Sequence, residues 1–218
     1  MNKRKFQILS LIISIIVMIY LCLSYHGIIR ALRLKLYSSE YYINKYPKLP
    51  KADKKKVVLV FSINRDEVKD IKPFINSLLD QTVRVDDIAL SVNTEDKDIL
   101  PEELKKVVNT YTYDKNYDDL GTVIPTVLRE PETNTKIIVL EPMKIYGEDF
   151  VQSIVEKSNE NGDKIIHVKN YPNIILIKPS FFSENFCNYE TGHNCNQWIE
   201  KCCGNEKVVV DYEDILSV

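Results

Sequence analysis

The amino-acid sequence predicts a three-layer α/β/α unit with a mainly parallel central sheet, preceded by one N-terminal transmembrane helix. Near the N-terminus, residues 6–25 form an uncharged and mostly apolar run. From residue 57 onward, short apolar runs alternate with longer stretches in which apolar residues recur every three or four positions. This alternation of strand and helix patterns is typical of a parallel sheet whose faces are covered by helices.

The apolar run is long enough to serve as an uncleaved signal anchor. A helix rises 1.5 Å per residue, so about 20 residues span a hydrocarbon core of roughly 30 Å. Tyr20 and Tyr25 lie near one end of the run, where amphipathic rings favour the membrane interface. A cleaved signal peptide would have a shorter apolar region followed by small residues. The run here ends without a small-x-small pattern, which favours a retained anchor.

The sequence divides into four parts around this anchor: a basic tail at 1–5, the anchor at 6–25, a stem and linker at 26–55, and an α/β domain at 56–218. Basic residues flank the anchor equally on both sides, so the positive-inside rule does not orient it. We expect a single-pass membrane protein, of type II with a lumenal or extracellular domain, and leave the orientation open. The 29 basic and 31 acidic residues give a net charge of −2. Nucleic acid is therefore not expected as a partner, because no excess of positive charge is available for phosphates.

The first elements of the α/β domain have clear signals. Val57–Phe61 is a continuous apolar run, as expected for a strand buried on both faces. Asp70 is a candidate helix cap, and Pro73 lies in the first turn, where its missing N–H costs little. The apolar residues of this helix share one face: Ile71, Phe74, Ile75, Leu78 and Leu79. Residues 88–92 form the second predicted strand.

The remaining elements follow in the same alternation. They are a short helix from Pro101 to Val108, a strand at 110–113, a helix at 122–129 in spite of Pro125, a strand at 136–140, a helix near 148–159, and paired strands at 164–168 and 173–177. Ligands bind beyond the carboxyl ends of strands in such sheets. The predicted binding loops are therefore those that follow Phe61, Val92, Tyr113 and Leu140.

Five passages, in order along the chain, carry a family resemblance. They are residues 58–65 (VLVFSINR), residues 77–82 with 87–92 (SLLDQT and DIALSV), residues 119–121 (DLG), residues 137–146 (IIVLEPMKIY) and residues 211–215 (DYEDI). The second is the most specific match. Together they resemble the family-2-like nucleotide-sugar glycosyltransferases, which have the Rossmann-like GT-A fold.

The resemblance implies a nucleotide-sugar donor and a set of residues that contact the nucleotide: Ser62, Asn64, Arg65, Asp119 and Gly121. From the residues alone, Asp119 and its neighbour Asp118 could instead cap the following helix, because Asp is a good N-cap. Arg65 could instead form a surface ion pair with Asp66 or Glu67.

The resemblance also implies a catalytic base and a metal ligand. Asp214, with Glu213 beside it, would deprotonate the acceptor hydroxyl. Glu141 would hold Mn²⁺ or Mg²⁺ at the diphosphate. The alternatives are a solvated acidic turn at residues 213–214 and a simple strand-end turn at Glu141.

The chain departs from the family pattern where the metal ligands are expected. Aspartates are expected at positions 141–143, but Pro142 and Met143 offer no hard oxygen ligand, so only Glu141 could coordinate the cation. Three interpretations therefore stay open: a sugar transferase, an inactive binding or scaffold module (a pseudoenzyme) for which no protein partner can be named, and an unrelated α/β domain.

Four cysteines cluster with His193 in the last third of the chain: Cys187, Cys195, Cys202 and Cys203. Two disulfides, free thiols and a zinc site are all compatible with this composition. The spacing lacks the C-x2-C knuckle that is typical of structural zinc sites.

Overall fold

The computed structural model describes residues 3–25, 27–115, 117, 120–162, 164–182, 198–199, 203, 206–213 and 215–217. They form two compact units, one ending at Tyr37 and one beginning at Ser38.

The first unit contains helices α1 (Lys3–Tyr25) and α2 (Ile28–Leu36). Gly27 lies between them in the left-handed conformation, with φ 68°. Within α1, Gln7–Tyr25 is long and apolar enough to cross a membrane. Length and composition therefore agree with the predicted anchor.

The second unit is built on a seven-stranded sheet. Its strands are β1 (Val57–Phe61), β2 (Asp87–Asn93), β3 (Asn109–Tyr113), β4 (Lys136–Val139), β6 (Ile165–Val168), β7 (Tyr171–Ile177) and β8 (Lys207–Val210). Their order across the sheet is β3-β2-β1-β4-β7-β6-β8. Only β7 pairs antiparallel to its neighbours among these strands. A separate antiparallel pair joins β5 (Lys144–Tyr146) to β9 (Ile215–Ser217).

Helices cover both faces of this sheet. They are α3 (Ser39–Lys45), α4 (Ile71–Leu79), α5 (Ile124–Arg129) and α6 (Phe150–Glu160). Successive β1 side chains point to opposite faces. Val58 and Val60 share a core with α5, whereas the Phe61 ring packs on Phe74 of α4 with centroids 4.9 Å apart. All five residues of β1 are fully buried, which confirms the three-layer α/β prediction.

The predicted helix at 101–108 is wrong. The structure has only a 3₁₀ turn at Leu104–Lys106. The N–H groups of Leu104 and Lys105 both donate to the Pro101 carbonyl, at 3.0 and 3.3 Å. The N–H groups of Val107 and Val108 both donate to the Leu104 carbonyl, and the chain then enters β3 at Asn109.

Two helix starts differ in detail from the sequence-based expectation. Asp70 precedes α4 but makes no side-chain cap, because it ends the 3₁₀ turn Arg65–Asp70 that leads into the helix. In α5, Pro125 lies in the first turn and therefore leaves the helix intact.

Residues 38–55, which the sequence assigns to the stem, belong to the same compact unit as the α/β domain. Tyr42 is buried. The Tyr46 hydroxyl accepts a hydrogen bond from the N–H of Val85 at 2.9 Å. The Arg84 N–H donates to the carbonyl of Pro50 at 2.8 Å. Hydrogen bonds therefore tie this segment to the chain just before β2, and no pattern of apolar residues in the sequence predicts them.

Candidate functional site

A polar cavity of about 510 Å³ lies at the carboxyl ends of the central strands. It opens between β1 and β4, where the chain order of the sheet reverses. Such a switch point leaves a crevice beyond the strand ends, because the connections on its two sides run in opposite directions. The polar residues of the lining come from five strand ends and the turn before α5: Ser62, Asn64, Ser91, Asn93, Asp96, Tyr113, Thr122, Glu141 and Asn173.

The loop after β1 is fixed by reciprocal hydrogen bonds. The Asn64 N–H donates to the Glu67 carboxylate at 2.8 Å, and the Glu67 N–H donates to the Asn64 carbonyl at 3.0 Å. The Thr122 hydroxyl donates to the Ser62 hydroxyl at 3.1 Å. These bonds hold the loop against the turn before α5 and leave the Asn64 side chain exposed at the cavity.

Gly121 is required by a close approach between two parts of the lining. A Cβ at this position would lie 2.1 Å from the Tyr113 hydroxyl oxygen. The Gly121 carbonyl accepts a hydrogen bond from the buried Ser91 hydroxyl at 2.7 Å. Burial raises the pKa of Tyr113, and the negative charge of Asp96 adds to the effect. The phenol therefore stays protonated at neutral pH and can donate a hydrogen bond.

Arg65 lies beside the cavity and does not line it. Its Nε donates to Asp96 Oδ1 at 2.6 Å, and its Nη2 donates to the Glu95 carbonyl at 3.3 Å. The ion pair expected for Arg65 is thus present, but its partner is Asp96 and not Asp66 or Glu67. Asp96 also borders a smaller cavity of about 280 Å³.

Glu141 lies two residues after β4, in a turn held by a buried tyrosine. The Tyr146 hydroxyl accepts a hydrogen bond from the Glu141 N–H at 3.0 Å and donates to the Glu141 carbonyl at 2.9 Å. Tyr146 is fully buried, and this burial raises its pKa well above the ordinary value. Met143 completes the turn at φ 59°. The Glu141 carboxylate makes no hydrogen bond or ion pair with a described residue.

The structure brings four of the sequence-predicted site residues together around the cavity: Ser62, Asn64, Gly121 and Glu141. Glu213 is exposed after β8, an edge strand of the sheet, and does not line the cavity. Asp118, Asp119 and Asp214 lie outside the described residues. The predicted roles of all these residues in binding and catalysis stay predictions.

Within the described part of the chain, no group of three or more His, Cys, Asp or Glu side chains could hold a metal ion. Mg²⁺ is usually held by one or two carboxylates together with substrate phosphates. The Glu141 carboxylate fits that smaller requirement, whereas Pro142, which also lines the cavity, offers no ligand.

The cysteine cluster is only partly described. Cys203 is buried in the core with Trp198 and Ile199. Its predicted companions, Cys187, Cys195, Cys202 and His193, lie outside the described residues. The disulfide, thiol and zinc alternatives therefore remain predictions.

Several lining residues were not singled out from the sequence. Asn93 and Asp96 come after Val92, in a segment that the sequence did predict as a binding loop, whereas Ser91 lies before it within β2. Which side chains face the cavity depends on the turn geometry, which the sequence pattern does not specify. Nothing in the sequence marked Asn173 as a lining residue, because binding residues were expected after strand ends and Asn173 lies near the start of the antiparallel strand β7.

Comparisons with known proteins identify the fold alone. No protein-family model matches the sequence, and no curated protein matches it. Among solved structures, the chain is similar to the 4-diphosphocytidyl-2C-methyl-D-erythritol synthase from Anaerococcus prevotii DSM 20548, with a TM-score of 0.50 and 10% sequence identity. The match covers 74% of this chain and 91% of that chain. The two proteins therefore share an α/β fold.

Proposed function

We propose that this chain is a membrane-anchored transferase whose α/β unit binds a nucleotide sugar and transfers the sugar to an acceptor. The observation that carries the proposal is the polar cavity at the reversal point between β1 and β4. Nucleotides bind at this position in doubly wound α/β sheets. The name of the structural neighbour refers to a diphosphocytidyl compound, which is itself a nucleoside diphosphate derivative.

The size and lining of the cavity suit a nucleotide. A volume of about 510 Å³ lies within the roughly 300–1,000 Å³ that small-molecule sites occupy. The hydroxyls of Ser62, Ser91 and Tyr113 and the amides of Asn64 and Asn93 supply both donors and acceptors. A nucleotide base and the hydroxyls of a ribose also carry both donors and acceptors, so this polar lining suits them better than it suits an apolar ligand.

The charge of the lining indicates that a diphosphate would enter together with a cation. Asp96 and Glu141 are acidic, and the lining contains no Lys or Arg among the residues that the structure describes. Asp96 is already paired with Arg65. Glu141 is therefore the residue that would hold Mn²⁺ or Mg²⁺. The cation would supply the charge that neutralises the leaving diphosphate.

Sugar transfer also needs a base at the acceptor. The acceptor oxygen loses its proton to the base and forms a bond to the sugar carbon, while the bond from that carbon to the diphosphate oxygen breaks. We assign the base to Asp214, with Glu213 beside it. Glu213 follows β8, which runs parallel to β6 and so ends at the same edge of the sheet as the cavity.

An inactive binding module is the second candidate. It is favoured by the exposed position of Glu213 and by the small number of carboxylates in the cavity. In that case the cavity would bind the nucleotide without turnover.

We further propose a single-pass type II arrangement, with α1 as the anchor and the α/β unit in the lumen or outside the cell. A glycosylation acceptor appended to the C-terminus tests this in microsomes. Glycosylation of the added site would support a lumenal α/β unit. An α/β unit that is not glycosylated and is digested by added protease would be cytosolic.

Calorimetry on the full chain in micelles tests the binding step, with uridine, guanosine, cytidine and adenosine diphosphates in Mn²⁺ and in EDTA. We expect cation-dependent binding of at least one of them. Asn173→Trp should weaken it at least tenfold, because the indole would fill the cavity mouth. Asn134→Trp adds the same ring at an exposed turn and should change nothing.

Turnover of the matching nucleotide sugar separates the two candidates. Hydrolysis that disappears in Asp214→Asn with unchanged affinity supports the transferase. Binding without turnover selects the inactive module. If none of the four diphosphates binds, both proposals fail.

A further inference from the structure

Helix α2 carries an apolar stripe that stays largely exposed among the described residues. Ile28, Leu32 and Leu36 recur every fourth residue and so lie on one face of the helix. Their side chains are 41%, 51% and 75% exposed. Leu34, on a different face, is fully buried. The helix therefore buries one apolar side chain and leaves the apolar stripe on another face about half exposed or more.

Cationic side chains border this α2 stripe on both sides. At about 100° per residue, Arg33 falls at one border of the stripe and Lys35 at the other. Both residues are exposed, and residues 28–36 contain no acidic side chain. Long basic side chains at the borders of an apolar face can extend their charged ends toward phosphates while their stems stay on the apolar surface.

The position of α2 next to the predicted anchor indicates that the partner of the stripe is a membrane. It begins at Ile28, three residues after α1 ends at Tyr25. Three residues reach about 10 Å at most, so α2 starts close to the end of the apolar span. Gly27, with φ 68°, redirects the chain between the two helices.

We propose that the α2 stripe lies on the membrane surface and binds anionic lipid headgroups. The apolar side chains enter the boundary between headgroups and acyl chains, and Arg33 and Lys35 contact lipid phosphates. The inference rests on α1 as the membrane anchor and is independent of the nucleotide proposal and of the orientation of the anchor, because it concerns whichever leaflet lies on the side of α2. Helix α2 is then a second membrane attachment that lies on the surface, in addition to α1, which spans the bilayer.

Backbone amide exchange in residues 28–36 tests the proposal on the full chain in nanodiscs. Most of α2 is exposed and only Leu34 is fully buried, so its amides should exchange faster in solution than when the stripe is bound to a membrane. We expect slower exchange in discs that contain phosphatidylglycerol than in discs of phosphatidylcholine alone. Arg33→Gln combined with Lys35→Gln should remove up to about 30-fold of this protection, since each cation contributes about 1 kcal/mol near an anionic surface.

Two further variants complete the test. Leu32→Ser combined with Leu36→Ser should remove protection in both lipids, because the apolar contact is lost. Lys157→Gln combined with Lys164→Gln removes the same charge from exposed positions of the α/β unit and should change nothing at residues 28–36.

Exchange at the same rate in both lipids and in detergent micelles would overturn the proposal. Protection that ignores lipid charge but rises with protein concentration would also overturn it, because a second copy of the chain would then cover the stripe.

Discussion

Replacing Tyr146 with Phe should destabilise the α/β unit and weaken ligand binding together. The Tyr146 hydroxyl bonds both the N–H and the carbonyl of Glu141, at 3.0 and 2.9 Å. Phe keeps the ring in place but leaves two backbone groups without this partner. The Glu141 turn would then lose the contact that fixes its carboxylate at the cavity.

The size of the effect follows from the two lost bonds. A hydrogen bond contributes about 0.5–1.5 kcal/mol net, and a buried group left unsatisfied costs about 1–3 kcal/mol. Glu141 itself is partly exposed, so water can satisfy part of the loss. We therefore expect the free energy of unfolding to fall by about 2–4 kcal/mol. The affinity for a nucleoside diphosphate should fall at least fivefold.

Tyr46→Phe is the matched control. The Tyr46 hydroxyl accepts one hydrogen bond, from the N–H of Val85 before β2, and burial raises its pKa to about 12. Its loss should cost about 1–2 kcal/mol of stability and leave the affinity unchanged, because neither residue lines the cavity.

Urea unfolding and calorimetry on both variants provide the measurements. The account of the Glu141 turn is refuted if Tyr146→Phe unfolds with the wild-type free energy. It is also refuted if the two variants weaken binding equally, because the effect would then follow from stability alone.

Three other changes have expected outcomes. Gly121→Ala should displace the Tyr113 ring into the cavity and weaken nucleotide affinity in calorimetry. Adding Tyr113→Ala should restore part of the affinity. An unchanged affinity in Gly121→Ala would contradict the close packing of these two residues. Glu141→Gln should abolish the difference in affinity between Mn²⁺ and EDTA, and an unchanged difference would place the cation elsewhere. Although burial alone would raise the pKa of Asp53, hydrogen bonds, chiefly from the Lys136 ammonium, lower it from 3.8 to about 2. The stability it contributes is present above pH 3.8 and is lost as the pH falls toward 2, so urea unfolding should show this loss in the wild type and not in Asp53→Asn.

The parts of the fold that the sequence predicts are those with a strong local signal. Val57–Phe61 is apolar at every position, and the structure buries every one of its residues. Helix α4 shows a clear period of three to four residues and begins at Ile71, as expected. The predicted helix at 101–108 failed because its pattern of apolar residues fits a single 3₁₀ turn as well as an α-helix, and the structure forms only that turn.

The parts that the sequence does not predict depend on contacts between distant residues. Arg65 pairs with Asp96, which lies 31 positions away on a different loop. The need for glycine at position 121 appears only once the Tyr113 ring is placed over it. The location of the cavity followed from the rule that parallel strands end at one edge, but the identity of its lining required the packed structure.

Amide exchange across the whole chain, with and without a saturating nucleoside diphosphate and Mn²⁺, shows where a nucleotide binds. We expect slower exchange in four segments that border the cavity: 62–64, 91–96, 121–123 and 140–142. Protection confined to other segments, such as 206–213, would contradict this expectation, as would the absence of any protection.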